Sequence, residues 1–272
     1  MEVPGGPQGA RLRAGLKEAL ARTASRRPAS GLSVLIYHRV GGGTPDERDL
    51  DVAAFQAQLD LLASHRIVGL DTALDELAAG DDSPKAVLTF DDGFAEVHDV
   101  AWPLLAERRV PFTLYLATAY VGGQMHWDGS TAKAPGPGLS WEQLAELAAS
   151  GLCTLGNHTH THARPEALTI EELDRCSEAI RTHLGVVPRH FAYTWGVQVS
   201  AMEPRLRARF RSAATGRLGR NHPGEDPLRL KRIPVRASDP IEFFAAKLTG
   251  RLLPERAYAG IVAGAKRLGV RA

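Results

Sequence analysis

Cysteine is nearly missing from this 272-residue chain, with only Cys153 and Cys176 present. That excludes a disulfide framework. Both thiols fall in segments that read as a strand and a helix facing a core, where cysteine behaves as a small apolar side chain. A reducing, cytoplasmic setting is the expectation. Excess charge is also lacking, because 33 basic residues face 31 acidic ones for a net charge of +2. No field of that size selects a polyanion, so nucleic acid is not expected as a partner. The densest basic stretch, Arg205 to Arg220, reads as a solvated helix face and the loop after it, or alternatively as a rim contacting an anionic substrate. The first 31 residues contain no long apolar run, which leaves neither a signal peptide nor a membrane anchor visible and predicts no membrane insertion.

What is present is alternation. Residues 1–31 form a leader rich in Ala, Arg, Gly and Pro, flexible or carrying one short helix from Ala10 to Thr23. Residues 32–272 are long enough for one catalytic domain around a single large core. From Ser33 onward short apolar or β-branched runs take turns with helical periodicity, the mark of a parallel sheet wrapped by helices. The predicted strands are Ser33 to Tyr37, Ala86 to Phe90, Phe112 to Ala117, Leu152 to Gly156, His190 to Tyr193, Ser212 to Thr215 and Ile233 to Val235. Capping-box spacing at Ser140/Gln143 and Thr169/Glu172, an Asp239-Pro240 start, and stops at Gly185 and Gly250 mark helices between them. Two segments rich in Gly and Pro, Tyr120 to Leu139 and Gly216 to Leu230, read as long loops that shape a site.

Two strand ends carry chemistry. The apolar run Ala86 to Phe90 ends in the adjacent carboxylates Asp91 and Asp92. Their mutual repulsion falls if one binds a cation and the other is left to take a proton. Cys153 to Gly156 likewise runs into Asn157-His158-Thr-His160-Thr-His162. If the chain turns helically there, His158 and His162 point the same way and can share an ion, with His160 directed elsewhere. Two His and one Asp leave positions open for water and substrate, as a catalytic rather than a structural metal site does. A third strand end, His190-Phe-Ala-Tyr193-Thr-Trp195-Gly196, offers aromatics for a sugar-sized pocket wall.

These residues closely resemble known motifs. Thr89-Phe-Asp-Asp-Gly93 and His158-Thr-His-Thr-His162 are similar to the first two motifs of the polysaccharide deacetylase family, the NodB-homology or carbohydrate esterase family 4 domain. Val34-Leu-Ile-Tyr-His38-Arg-Val40 resembles its opening strand, and Arg232-Ile-Pro-Val235 a late one. The resemblance implies an α/β fold, a distorted (β/α)7-type barrel. It implies one divalent ion on Asp92, His158 and His162, zinc or alternatively cobalt, nickel or manganese. It also implies Asp91 as the base, the Trp195 N–H as oxyanion donor, and an N-acetylated sugar or glycoside as substrate. Tyr193, Trp127 and His126 are the expected substrate contacts.

The chain departs from the pattern twice. Ala192 stands where the third motif usually has an arginine that orients the base, and no late Leu-x-His motif supplies an acid for the leaving amine. His126 and His222 are candidates for that acid by loop position. The leading expectation is therefore a metal-dependent N-deacetylase. The alternatives are a catalytically impaired member that binds carbohydrate or regulates, or a hydrolase of a non-sugar amide.

Overall fold

The computed structural model describes residues 7–22, 29–127, 135–249 and 252–267. Its strands are β1 (Leu32–Tyr37), β2 (Arg39–Val40), β3 (Asp49–Leu50), β4 (Lys85–Phe90), β5 (Phe112–Leu116), β6 (Cys153–Asn157), β7 (His190–Ala192), β8 (Ser212–Leu218) and β9 (Leu230–Pro234). Its helices are α1 (Pro7–Ala21), α2 (Val52–Leu62), α3 (Leu70–Ala78), α4 (Trp102–Glu107), α5 (Trp141–Ala149), α6 (Ile170–Leu184), α7 (Glu203–Arg207), α8 (Ile241–Thr249) and α9 (Leu253–Arg267). Seven strands close a parallel barrel in the order β1-β4-β5-β6-β7-β8-β9, with β1 also paired to β9 through Leu35↔Ile233. The expected distorted (β/α)7 barrel is what the chain forms, and all seven predicted strands are in it.

Strand alternation builds two layers of packing. Leu35, Tyr37, Leu88, Phe90, Leu114 and Leu116 point outward into the main core, against Phe55, Leu59 and Leu62 of α2 and Leu105 of α4. The intervening Val34, Val87, Tyr115, Ala192 and Ala214 point inward and pack with Leu70, Leu74 and Leu77 of α3. Truncating a buried aromatic such as Phe90 would cost about 3–5 kcal/mol. Asp71 of α3 pairs with Arg211, just before β8, and lies 3.4 Å from His190 at the start of β7. Helix α3 therefore lies at the N-terminal ends of the strands and leaves the C-terminal ends for the site.

Several local expectations change. Thr159 and His162 have φ values of 66° and 54°, so the His158–His162 segment is an irregular turn rather than a helical one. Strand β8 runs on to Leu218 and a short 3-10 turn spans Pro227–Arg229, which shortens the expected Gly216 to Leu230 loop. Within the basic stretch, Arg207 pairs with Asp226 and Arg209 with Asp174, and Arg220 is buried against the carbonyls of Ser30 and Leu248. It is a set of ion pairs more than a free face.

Asp239 does not serve as a simple helix cap, because its carboxylate takes Lys17 at 2.7 Å, Lys247, and the backbone N–H of Arg236 at 2.9 Å. Lys17 belongs to α1 and is fully buried, so this helix of the N-terminal segment is docked onto the barrel beside α8. Gly185 ends α6 in the left-handed conformation, as predicted, while Gly250 lies outside the described residues. No helix among the described residues is long and apolar enough to cross a membrane.

Candidate active site

Strand β4 is buried along its whole length and delivers Asp91 and Asp92 to the barrel mouth. The Asp91 N–H donates to Tyr37 O at 3.0 Å, continuing the β1–β4 ladder, and Ala117 N donates to Asp92 O at 3.0 Å. Between them the chain reverses: Asp92 adopts φ 77° and Gly93 φ 106°. Left-handed backbone is strained for a residue with a Cβ, and among the described residues four of the six non-glycine positive-φ positions, Asp92, Thr159, His162 and Trp195, sit at this mouth.

The ligand loop after β6 is tied from several sides. Asn157 Nδ2 donates to Leu173 O at 2.8 Å, while its Oδ1 accepts from Thr159 N at 2.9 Å. Thr161 N donates to Glu172 Oε2 at 2.8 Å, so the glutamate expected in a full capping box instead restrains this loop. His160 turns away, as expected, with Nδ1 at 2.9 Å from Thr118 Oγ1.

The result is convergence of the three expected ligands. His158 Nε2 lies 3.4 Å and His162 Nε2 3.3 Å from the same Asp92 oxygen, and all three side chains are buried. Two ligands each about 2.1 Å from a tetrahedral ion stand about 3.4 Å apart, so the spacing suits a shared cation. His158 Nδ1 is 2.8 Å from Ala192 O and donates to it, which leaves Nε2 with its lone pair toward Asp92. Burial alone would raise the Asp92 pKa, yet His158 and His162 hold it well below the usual carboxylate range. The donor set, one carboxylate and two imidazoles, fits zinc or a similar divalent ion.

The partner of Asp91 comes from a place the motifs do not indicate. Arg232 on β9 grips it bidentately, Nη1 to Oδ1 at 2.7 Å and Nη2 to Oδ2 at 2.8 Å. The guanidinium is itself fixed by Thr215 O at 3.0 Å. Burial raises the Asp91 pKa, but the charge and hydrogen bonds of Arg232, with the charges of His158 and His38, together outweigh it and keep the carboxyl ionised below its ordinary range. In the sequence this residue is the arginine of Arg232-Ile-Pro-Val, a segment whose resemblance marks a strand and not a site residue.

His38 is a second residue the motifs did not assign. Tyr37 pairs with Phe90 in the β1–β4 register, so His38 leaves β1 beside Asp91. Its Nδ1 is buried without a partner among the described residues. Burial lowers its pKa, opposed by the charges of Asp92 and Asp91.

The aromatic expectations divide. Trp127 stacks on His162 with ring centroids 4.0 Å apart and is buried, so it backs the ligand. Trp195 stands 5.5 Å from the His162 ring, is 37% exposed and forms part of the mouth. Tyr193 is 1% exposed and packs on Phe191 in a core cluster with Leu206 and Phe210, so it faces away from the pocket. Strand alternation explains the correction: Ala192 faces inward, hence its neighbours Phe191 and Tyr193 face out. The His126 side chain is exposed, and nothing places it against the ligands. His222 pairs with Asp82 at 2.8 Å, near the start of β4 and thus at the opposite mouth, which removes it as a candidate acid.

A chain of this shape has known counterparts. The structure of IcaB from Ammonifex degensii is 31% identical over 83% of this chain and 100% of that one, with a TM-score of 0.70. The chain belongs to the polysaccharide deacetylase family. The family model for polysaccharide deacetylases matches residues 79–208, which contain both the Asp-Asp and the His-rich motifs. Two further structures share the fold. One is the polysaccharide deacetylase BC0361 from Bacillus cereus, 22% identical over 81% of this chain and 69% of that one, TM-score 0.67. The other is the Streptococcus pyogenes deacetylase PplD, 19% identical over 81% and 99%, TM-score 0.67. No curated protein matches the sequence. As a polysaccharide deacetylase the chain is a hydrolase of carbon–nitrogen bonds other than peptide bonds.

Proposed function

We propose that the chain is a metal-dependent deacetylase that removes the N-acetyl group of an amino sugar in a glycoside or polysaccharide. The observation that carries the reading is the pair of imidazole nitrogens at 3.4 and 3.3 Å from one oxygen of Asp92, beside a second, separately held carboxylate. Asp92, His158 and His162 would hold the ion. When bound there, a divalent ion, zinc by the donor set, would supply polarisation of the amide carbonyl and acidification of water.

The remaining work falls to side chains of this polypeptide. Asp91, kept ionised and oriented by Arg232, takes the proton of the attacking water. The Trp195 N–H, on a backbone turned to φ 59°, donates to the developing oxyanion. His38, which leaves β1 beside Asp91, relays to the departing nitrogen the proton that Asp91 takes from the water. It fills the role for which the sequence offers no late histidine motif. The grip of Arg232 on Asp91 supports this reading over an impaired, merely binding protein, because an orienting arginine is present although Ala192 stands in the third motif.

The test is acetate release from N-acetylglucosamine oligomers by protein whose metal content has been measured. Asp91→Asn should keep the metal and lose activity by about 10²–10⁴-fold. Metal-loaded wild type that releases no acetate across neutral and charged N-acetylated sugars would overturn the proposal.

A further inference from the structure

The mouth of the site carries a cation that the chemistry above does not use. Arg164 follows the ligand loop, two residues after His162, and is exposed. Its guanidinium carbon stands 5.4 Å from the centroid of the Trp195 indole, whose ring is in turn 5.5 Å from that of His162. Arg39, Arg48 and Arg232, at the same end of the barrel, are each neutralised, by Glu96, Asp46 and Asp91. Among the described residues no carboxylate pairs with Arg164, and Glu166, two positions on, does not reach it.

From this geometry we infer that Arg164 is a specificity residue that binds an anionic group, a carboxylate or a phosphate, on or next to the amino sugar being deacetylated. The inference rests on the proposed deacetylase reading and extends it to the substrate class. A guanidinium laid against an indole is limited in the directions its N–H groups can take, so less freedom is lost when it meets an anion. The planar fork matches two oxygens of a carboxylate or phosphate. Trp195 keeps 37% of its surface open, enough for a sugar to rest against it. A sugar placed between Trp195 and the ligands would carry its substituent toward Arg164. The same charge disfavours the ammonium sugar that deacetylation leaves behind, so a neighbouring unit already processed is a poorer fit than an anionic one.

Binding separates this inference from the reading beneath it. Asp91→Asn protein, metal-loaded so that no turnover occurs, is titrated calorimetrically with three ligands. These are methyl N-acetylglucosaminide, N-acetylglucosamine 1-phosphate, and a disaccharide of glucuronate and N-acetylglucosamine. At least one anionic ligand should bind about tenfold tighter than the neutral one, and the two anionic arms tell phosphate from carboxylate. The advantage should shrink as salt is added. It should fall to about one in an added Arg164→Gln variant and be partly kept in Arg164→Lys, which retains charge without the planar fork.

Equal affinity for all three ligands would overturn the inference. So would an advantage that survives Arg164→Gln, because the anion would then be held elsewhere, by the metal or by the Arg232 that Asp91→Asn leaves unpaired. Acetate release by the protein with Asp91 intact reports separately on the deacetylase reading. An Arg164-dependent preference without acetate release would sink that reading and leave standing only the anion-binding role of Arg164.

Discussion

Replacing Arg232 with methionine is the sharpest test of how Asp91, the proposed base, is held. The pair it breaks is deeply buried, with Arg232 at 1% and Asp91 at 3% exposure, and the fork makes two bonds of 2.7 and 2.8 Å. Methionine fills much of the same space, so the main loss is charge. Leaving one member of a buried ion pair unpartnered costs about 3–5 kcal/mol. At about 2–4 °C per kcal/mol for a domain of this size, the melting temperature should drop by roughly 6–20 °C. The sign with pH follows from Asp91, whose folded-state pKa is depressed in the wild type. Its stabilisation is complete above the unfolded carboxylate pKa and is lost as pH falls through the folded value. The stability gap between wild type and variant should therefore be widest near neutrality and close in acid.

Activity should move in parallel. With the guanidinium gone, burial is opposed only by the weaker influence of His158 and His38 and the Asp91 pKa rises, so the acid limb of kcat/KM shifts to higher pH. Arg232→Lys should fall between, since a point charge cannot grip both oxygens. Acetate release and thermal unfolding, each followed from about pH 4 to about pH 9, read both effects across the titration range of carboxylates and histidine. A methionine variant with the wild-type acid limb, or with a stability loss independent of pH, would refute the assigned role of Arg232.

Other perturbations probe separate parts of the molecule. His38→Gln should lower kcat by about 10²-fold with metal content retained, and an unchanged kcat would remove it from proton transfer. Lys17→Met strips one of the two lysines from buried Asp239 and should lower stability by about 3 kcal/mol in denaturant titrations near neutral pH. Its effect should fade in acid as Asp239, whose pKa burial raises but Lys247 and Lys17 lower, takes up a proton. A β-carbon on Gly156 would come within 2.5 Å of the Tyr115 ring, so Gly156→Ala should cost about 1–3 kcal/mol and weaken metal binding by displacing the end of β6. Full metal affinity in that variant would show the ligand loop to be independent of the strand.

Much of this architecture was legible because it is written in local periodicity. Each barrel strand is a short apolar run of its own, and the two ligand segments lie immediately after such runs, so the placement of Asp91, Asp92, His158 and His162 at one mouth followed from strand direction alone. The turn that aims the histidines was misread as helical. The convergence survived because hydrogen bonds from the Thr159 and Thr161 N–H groups to Asn157 and Glu172, not helical periodicity, fix that loop. Tyr193 was misassigned because a strand-end aromatic can face either layer, and only the inward setting of its neighbour Ala192 decides which. Arg232 and His38 were invisible as site residues for a different reason. Their relation to Asp91 depends on which strands are neighbours, and no spacing in the chain encodes that.

Barrel closure resolves the point. In sequence, position 38 lies far from 91, and 91 far from 232; in the sheet, β1 stands between β4 and β9 and pairs with both. The interior at the mouth is narrow enough for Arg232 to reach past β1 to Asp91 on β4, with Thr89 Oγ1 at 3.4 Å along the way. An arginine that orients the base can thus be supplied from β9 when Ala192 occupies the third-motif position on β7, because both strands open onto the same interior. The role is set by where a guanidinium can meet two carboxylate oxygens, and the closed sheet offers more than one strand from which to do so. Absence of the third-motif arginine is consequently weak evidence for loss of catalysis in a chain whose β9 carries a buried arginine aimed at Asp91, the proposed base.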